Sequence, residues 1–249
     1  YTIMKEDAVV RREWDMLPRT LHLPQGRNRM VAVDRWRDQP TEQYLYTSAF
    51  TEAFLHHAPQ PWPASEAEKT LILRVFAPDA SQGHTLALLG SQPLLGEWKH
   101  GNEVRLIPVG PSEWAVSLNL GLIEGTLEYK YLTIDNKTGQ RTWELHDNRL
   151  LERPNAERQM TVAVEDAPVK LPLAPWRGAG CVIPVFSRGS EKSYGVGDFG
   201  DLRRMVDWVS MTGQHALQIL PINDTTLTGK WTDSYPYNAI SIYALHPLY

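Results

Sequence analysis

The sequence predicts β-sandwich modules followed by the first βαβ part of a (β/α)8 TIM barrel. Short strand-like segments separated by turn residues recur between residues 71 and 164, which is typical of an antiparallel sandwich of about 100 residues. A weak internal repeat indicates that a related module precedes this one. After residue 174, two apolar segments flank one amphipathic helix, and this order is typical of neighbouring parallel strands.

The composition favours a globular chain with a neutral partner. A length of 249 residues with 42% hydrophobic content is enough for one or two buried cores. The net charge is −4, and the dispersed Lys and Arg leave no footprint for nucleic acid or an anionic membrane. The lone cysteine, Cys181, lies in an apolar segment and is expected to be a packed thiol. No apolar stretch approaches the ~20 residues of a membrane span, so a cytoplasmic location is expected.

The repeat joins residues 12–34 to residues 141–165. Trp14 aligns with Trp143, but Pro18 takes the place of the asparagine that precedes the arginine in the later copy. Further matches join Tyr1 to Tyr131, Leu21 to Leu150, Pro24 to Pro154 and Val31–Val33 to Val162–Val164. Two similar modules are therefore expected in tandem, the first without its front part.

Proline-rich links set the expected domain boundaries. Residues 1–58 would form the C-terminal part of the first module, residues 68–166 the second module, and residues 174–249 the start of the barrel. The links are Pro59–Pro63 and Pro168–Pro175.

Within the second module, five segments have the alternation and composition of strands, and Asp135–Gly139 has the residues of a hairpin loop. The strands are expected at Leu71–Phe76, His84–Leu89, Glu113–Leu118, Leu127–Ile134 and Met160–Val164.

Four short motifs of this module resemble starch-binding carbohydrate-binding modules of family 20. They are Leu89–Ser91, Leu95–Trp98, Glu128–Tyr131 and Trp143–Arg149. The main glucan site of that family uses two tryptophans with a lysine and an asparagine, so the resemblance implies one such site here. Its residues would be Trp98, Trp143, Lys130 and Asn148, with Glu128 nearby. The tyrosines of the family's second site have no counterpart around Gln82 or Ser112.

The tryptophan content supports a sugar-binding hypothesis. Nine tryptophans in 249 residues is about two to three times ordinary usage. An exposed indole can lie flat against a pyranose ring, whereas a buried indole is part of a core. We expect Trp114 to be core because its strand alternates, and Trp208 lies beside an apolar helix stripe. Trp98 and Trp143 lie in polar, turn-like sequence, which favours binding, with core packing as the alternative.

The last third of the chain predicts one helix between two strands. Asp198 and Asp201 are typical of a helix N-terminus, and Gly213 is typical of a left-handed stop. Gly180–Phe186 and Ala216–Leu220 have the length and composition of buried parallel strands. The apolar stripe of the helix consists of Leu202, Met205, Val206 and Val209.

The same part of the chain resembles the start of the catalytic domain of 4-alpha-glucanotransferases, glycoside hydrolase family 77. The matching motifs are Gly197–Leu202, Gln218–Pro221, Asp233–Tyr237 and Ala244–Tyr249. The resemblance implies transfer of α-1,4-glucan or glucosyl units between maltooligosaccharides and glycogen- or starch-like acceptors by a retaining mechanism. It also implies that Tyr237, with Ser234 of the same motif, contacts sugar at the barrel mouth, with structural packing as the alternative for Tyr237.

No catalytic residue, metal ligand or cofactor is predicted in this chain. The family's nucleophilic aspartate and acid/base glutamate come from later barrel strands, and His56 and His57 lack metal-ligand spacing. We therefore expect an internal piece of a longer enzyme, inactive alone. The implied partners are α-glucan polysaccharide and maltooligosaccharides, and the oligomeric state is left open. The alternative is a non-catalytic starch- or glycogen-binding protein in which the βαβ segment is a remnant.

Overall fold

The computed structural model describes residues 1–14, 19–20, 29–63, 67–80, 83–172 and 177–249. The chain forms two compact units, Tyr1–Leu173 and Ala174–Tyr249, each with its own strands. Some residues named in the sequence hypothesis lie outside the described ranges, namely Pro18, Leu21, Pro24, Gln82 and Pro175.

The first unit consists of short strands joined by turns and short helical segments. In chain order the strands are β1 (Thr2–Lys5), β2 (Ala8–Arg12), β3 (Arg29–Val33), β4 (Lys69–Phe76), β5 (His84–Gly90), β6 (Val104–Arg105), β7 (Ile107–Gly110), β8 (Glu113–Asn119), β9 (Thr126–Asp135), β10 (Arg141–Trp143), β11 (Arg149–Glu152) and β12 (Met160–Glu165). Short 3-10 or π segments lie at Gln43–Tyr46, Ala49–Phe54, Pro93–Trp98 and Leu120–Leu122. The strands predicted for the second module are confirmed as β4, β5, β8, β9 and β12, and the hairpin loop between β9 and β10 is also confirmed.

Two larger sheets form the sandwich, and β1 and β2 form a separate hairpin. One sheet has the order β10-β9-β5-β6, with β11 also paired to β9, and the other has the order β3-β12-β4-β8-β7. The first sheet is antiparallel, but β12 pairs in parallel with both β4 and β3. The purely antiparallel sandwich predicted from the sequence is therefore wrong at these two pairs. A parallel pair needs a long connection, and the strands between β4 and β12 supply it.

The main core lies between the two sheets. Leu71, Leu73 and Val75 alternate along β4 and are fully buried in one cluster with Leu88 of β5 and Trp114 of β8. The prediction that Trp114 is a core residue is confirmed. Burial of each such side chain contributes about 1.5–3 kcal/mol, so this cluster is the main source of stability of the unit.

The repeat places equivalent residues side by side in the second sheet. Val31–Val33 of β3 pairs in register with Val162–Val164 of β12, which are the residues that the sequence alignment joins. The final strand of the earlier copy therefore extends the sheet of the later copy.

The later copy contains a buried polar network around Glu144. The Glu144 carboxylate accepts hydrogen bonds from the Tyr131 backbone nitrogen at 3.0 Å and from Arg149 Nε at 2.9 Å. The Arg149 guanidinium lies over the Tyr131 ring, 4.8 Å from its centroid. The Tyr131 hydroxyl donates to Asp166 at 2.7 Å, and burial raises the pKa of this aspartate.

The earlier copy repeats this network with Glu13 at its centre. The α-amino nitrogen of Tyr1 donates to Glu13 at 2.9 Å, and Arg19 also pairs with Glu13. The Arg19 guanidinium lies 4.6 Å from the centroid of the Tyr1 ring, and the Tyr1 hydroxyl donates to Asp34 at 2.7 Å. Glu13 therefore has the role of Glu144 in the later copy.

This equivalence corrects the predicted position of Trp14. Because Glu13 corresponds to Glu144, the residue at the position of Trp143 is Arg12, and Trp14 corresponds to Leu145. Strand pairing supports this correspondence. Thr2 and Leu132 each follow the tyrosine of their copy, and they lie opposite Arg12 and Trp143 respectively. The alignment of Trp14 with Trp143 is thus wrong by one residue.

The second unit contains β13 (Gly180–Ile183), α1 (Phe199–Met211) and β14 (Ala216–Ile219), with β13 parallel to β14. The predicted strand–helix–strand order is confirmed. The strands were expected to be buried, but Val182 is 59% exposed, because the sheet has two strands in the described part of this unit. Cys181 packs against the apolar cluster of the unit, as expected for a structural thiol.

The ends of α1 follow the sequence signals. The Asp198 side chain accepts hydrogen bonds from the backbone nitrogens of Gly200 at 2.7 Å and Asp201 at 3.1 Å, and Asp201 accepts from the Asp198 backbone nitrogen at 3.2 Å. This reciprocal arrangement is a capping box. Gly213 has φ +70° just after the helix. Of the predicted stripe, Met205 and Val209 are buried, Leu202 is intermediate and Val206 is exposed.

Candidate functional site

Trp98 and Trp143 lie next to each other on the face of the β10-β9-β5-β6 sheet that is turned away from the main core. Their ring centroids are 6.4 Å apart, and the ring planes make an angle of 51°. Both residues are half-buried, and both pack against the cluster of Ala87, Leu89, Leu132 and Ile134. Each ring is therefore anchored on apolar residues while part of its surface remains open to solvent.

A tight turn presents Trp98. Within Pro93–Trp98, the backbone is left-handed at Gly96 (φ 77°), Glu97 (φ 51°) and Trp98 (φ 60°). A Cβ atom at Gly96 would lie 2.5 Å from the carbonyl oxygen of Asn102, so only glycine fits there. Left-handed backbone at non-glycine residues costs about 1–3 kcal/mol and clusters at functional sites. The turn therefore supports a functional role for the indole that it carries.

Trp143 is fixed by the strand that it ends and by an ion pair. It pairs with Leu132 of β9, and the His100 ring lies 6.1 Å from its own ring. Arg141, at the start of β10, forms an ion pair with Glu103. The Arg141 guanidinium lowers the pKa of the Glu103 carboxyl to about 2. The ion pair thus ties the short strand to the segment before β6.

The predicted polar residues lie on the same face as the two indoles. Glu128, Lys130 and Leu132 alternate along β9, so their side chains share the face that carries the tryptophan pair. Asn148 Nδ2 donates a hydrogen bond of 2.8 Å to Glu128 Oε1. The structure therefore brings the five residues predicted for this module to one side of one sheet.

This arrangement suits a neutral ring rich in hydroxyl groups. The indoles offer flat apolar surface, and the carboxylate, amide and ammonium groups can accept or donate hydrogen bonds at its edges. In the described ranges, no group of three His, Cys, Asp or Glu side chains is placed to hold a metal ion. None of the described helices has the length and apolar character required to cross a membrane.

Tyr237 and Ser234 lie in the second unit, within a turn region that begins at Trp231. Tyr237 is 59% exposed, and its ring centroid is 5.6 Å from that of Tyr235. The Ser234 hydroxyl donates to the Trp231 carbonyl oxygen at 2.7 Å. Ser234 lines a cavity of about 130 Å³, and Tyr237 lies outside this lining. The exposed ring of Tyr237 is accessible to a ligand, and its role in sugar contact stays a prediction.

Sequence reasoning missed the residues that support the tryptophan pair. His100, Glu103 and Arg141 were not selected because the ion pair joins residues 38 positions apart and no local pattern marks it. The same holds for His57, whose ring packs 4.7 Å from that of Trp114, a residue far away in the sequence. No local pattern around His57 marks this contact.

The Glu103–Arg141 ion pair predicts a pH dependence of stability. The carboxyl has an ordinary pKa of 4.5 when unfolded and about 2 when folded, so its contribution is present above pH 4.5 and is lost as the pH falls towards 2. Because Arg141 is partly exposed, solvent screening makes the contribution smaller than the pKa shift of Glu103 alone implies. Denaturant unfolding of wild type and Glu103→Gln at pH 7 and pH 3 measures it. The difference between the two proteins should be smaller at pH 3 than at pH 7, and an equal difference at both pH values would contradict the assignment.

Two family models match separate parts of the chain, one in each unit. Residues 70–163 match the family model described as starch binding domain. Residues 183–249 match the family model described as 4-alpha-glucanotransferase, glycoside hydrolase family 77. Both resemblances predicted from the sequence are therefore confirmed.

Two similar proteins are named 4-alpha-glucanotransferase, and one similar solved structure is a family 20 module. The chain is 34% identical over 265 residues to the 4-alpha-glucanotransferase DPE2 of Oryza sativa subsp. japonica, a match that covers 100% of the chain and 28% of the rice protein. It is 46% identical over 70 residues to the 4-alpha-glucanotransferase of Chlamydia muridarum, covering 28% of the chain and 12% of that protein. The family 20 module of the maltotetraose-forming amylase from Pseudomonas saccharophila STB07 is 20% identical, with 39% of the chain and 99% of the module covered and a TM-score of 0.30. The chain thus spans less than a third of the length of the rice relative.

Proposed function

We propose that residues 68–166 form a module that binds α-1,4-glucan chains through the tryptophan pair. The observation that supports this most is the convergence of two half-buried indoles with Lys130, Glu128 and Asn148 on one sheet face, inside a segment that matches a starch binding domain. The two rings would stack on glucose units of one chain. The Glu128–Asn148 pair and Lys130 would bind the hydroxyls at the ring edges.

We infer further that the chain acts within a 4-alpha-glucanotransferase. Residues 174–249 would be the first βαβ part of a (β/α)8 barrel, in which Tyr237 and Ser234 contact sugar near the mouth. Residues 1–58 would be the C-terminal part of a preceding starch-binding module. The match of this chain to the glucanotransferase family model and the names of its relatives support this assignment. A cytosolic location is part of the same proposal.

The chemistry proposed for the enzyme is a retaining transfer. A carboxylate would attack the anomeric carbon, and a sugar hydroxyl would replace water in the second displacement, so that glucan units pass between maltooligosaccharides and a glycogen- or starch-like acceptor. The described residues are assigned to binding in this proposal, and no catalytic carboxylate is assigned among them.

Two measurements on the 249-residue polypeptide test these proposals separately. Incubation with maltose and glycogen is expected to release no glucose above a buffer control, because the catalytic carboxylates of the family belong to later strands. Calorimetric titration of the same sample with β-cyclodextrin is expected to show saturable binding. Glucose release would contradict the assignment of catalysis to later strands, and absence of β-cyclodextrin binding would contradict the binding module.

A further inference from the structure

The first unit contains a cavity of about 220 Å³ that the tryptophan pair does not line. Its aromatic walls are Trp14, Trp36, Tyr46 and Phe76. Phe76 ends β4 and Glu165 ends β12, so the cavity lies at one end of the β3-β12-β4-β8-β7 sheet. Trp98 and Trp143 pack on the other sheet, so the cavity is a separate site.

The aromatic walls of the cavity are held by specific contacts. Trp36 Nε1 donates to Asp38 Oδ1 at 3.1 Å, and the Arg11 guanidinium, which pairs with Asp38, lies 5.3 Å from the Trp36 ring centroid. The Trp14 ring meets the buried Tyr46 ring edge-on, with centroids 5.1 Å apart and planes at 84°. Rings held in this way lose little conformational freedom when a ligand binds, which favours affinity.

The charges of Arg37 and Glu165 in the lining compensate each other, and the Asp166 carboxylate accepts hydrogen bonds from the Tyr129 and Tyr131 hydroxyls. Arg37 donates to Glu165 from Nε at 2.7 Å and from Nη2 at 3.0 Å, and its guanidinium lies 4.7 Å from the Phe76 ring centroid. Arg19 Nη1 donates to the same carboxylate at 2.7 Å. Asp38 is paired with Arg11. Because the buried charges are matched within the protein, the lining favours a neutral polar ligand over an ion.

The polar rim of the cavity and its small volume indicate which class of ligand fits it. Arg35 and Asp38 are exposed at the rim and provide donors and acceptors for neighbouring hydroxyl groups. Drug-sized ligands occupy pockets of roughly 300–1,000 Å³, so a smaller cavity takes one sugar ring or the end of a chain. Aromatic walls with a polar rim are suited to a pyranose, whose faces are apolar and whose edge carries hydroxyls.

We propose that this cavity binds the terminal glucose unit of a short α-1,4-glucan such as maltose. The choice of an α-glucan as ligand rests on the proposed function of the adjoining module. A site for chain ends beside a site for the middle of a chain would let the first unit hold one polysaccharide at two points, or hold a short oligosaccharide apart from the polymer.

Indole N–H signals in a ¹H–¹⁵N spectrum of the 249-residue chain test this proposal, because each of the nine tryptophans contributes one signal. Maltose is expected to shift the signals of Trp36 and Trp14, including in the double variant Trp98→Ala/Trp143→Ala. The cyclic β-cyclodextrin has no chain end and is expected to shift only Trp98 and Trp143. Trp36→Ala is expected to weaken maltose binding at this site at least fivefold, and Trp36→Phe, which keeps a ring, is expected to weaken it less.

The outcomes separate this proposal from the proposed function. If β-cyclodextrin shifts Trp98 and Trp143 but maltose leaves Trp36 unmoved, the cavity proposal is overturned and the module assignment stands. If Trp98 and Trp143 are unmoved by either sugar, the proposed function fails. Equal shifts of Trp36 with cellobiose, whose glucose units are β-linked, would overturn the assignment to α-glucan. Because the wild-type spectrum carries the decisive result, a variant that fails to fold does not affect the test.

Discussion

Trp98→Ala and Trp143→Ala are each expected to weaken β-cyclodextrin binding by about tenfold or more. A stacked and buried ring contributes on the order of 1–3 kcal/mol, and each 1.4 kcal/mol corresponds to a factor of ten in affinity. Because the rings are only 6.4 Å apart and would contact neighbouring glucose units, the two losses are expected to be non-additive. Calorimetric titration of the single and double variants measures both effects.

Leu122→Ala is a matched control for these variants. Leu122 is 64% exposed in the segment Leu120–Leu122 that follows β8 of the other sheet, so its truncation removes apolar surface outside the sheet that carries the indole pair. Its affinity for β-cyclodextrin is expected to be that of wild type. If both tryptophan variants remain folded and bind as the control does, the tryptophan pair is not the glucan site.

The fold of the later module could be predicted strand by strand where local patterns decide. β4, β5, β8, β9 and β12 each alternate or form apolar runs, so their positions follow from the sequence. β6, β7, β10 and β11 are two to four residues long, which is too short for a period to show. The parallel pairing of β12 with β3 and β4 depends on residues far apart in the chain, and no local pattern carries it.

The residues of the candidate site also fall into those that the sequence could predict and those that it could not. The residues proposed to bind glucan, such as Trp98 and Asn148, lie in motifs that can be recognised in the sequence. The residues that hold them in place, such as Glu103 and Arg141, pair across the fold. Trp14 was misplaced because the spacing between the tyrosine and the glutamate of the network differs by one residue in the two copies. An alignment that pairs Trp14 with Trp143 conceals this difference. The matched hydrogen bonds of Glu13 and Glu144, together with the strand pairing, show which residues are equivalent.

Arg149→Ala is expected to be among the most destabilising single substitutions in the later module. The side chain of Glu144 is fully buried, and Arg149 donates to its two carboxylate oxygens at 2.9 Å and 2.6 Å. Arg149 Nη1 also donates to the Ala167 carbonyl oxygen at 2.6 Å. Removal of the guanidinium leaves a buried carboxylate without its counter-ion, which costs about 3–5 kcal/mol.

Native-state hydrogen exchange of the β9 amides measures this cost, because the Tyr131 backbone nitrogen itself donates to Glu144. Arg158→Ala is the control: it breaks an exposed ion pair with Glu68 and is expected to cost less than about 1 kcal/mol. The double variant Glu144→Gln/Arg149→Met is expected to recover much of the loss, since it removes both charges and keeps an acceptor for Tyr131. Recovery in the double variant would show that the unpaired charge, rather than lost packing around Arg149, causes the destabilisation. If Arg149→Ala cost no more than Arg158→Ala, the repeated Glu–Arg–Tyr network would have no role in stability.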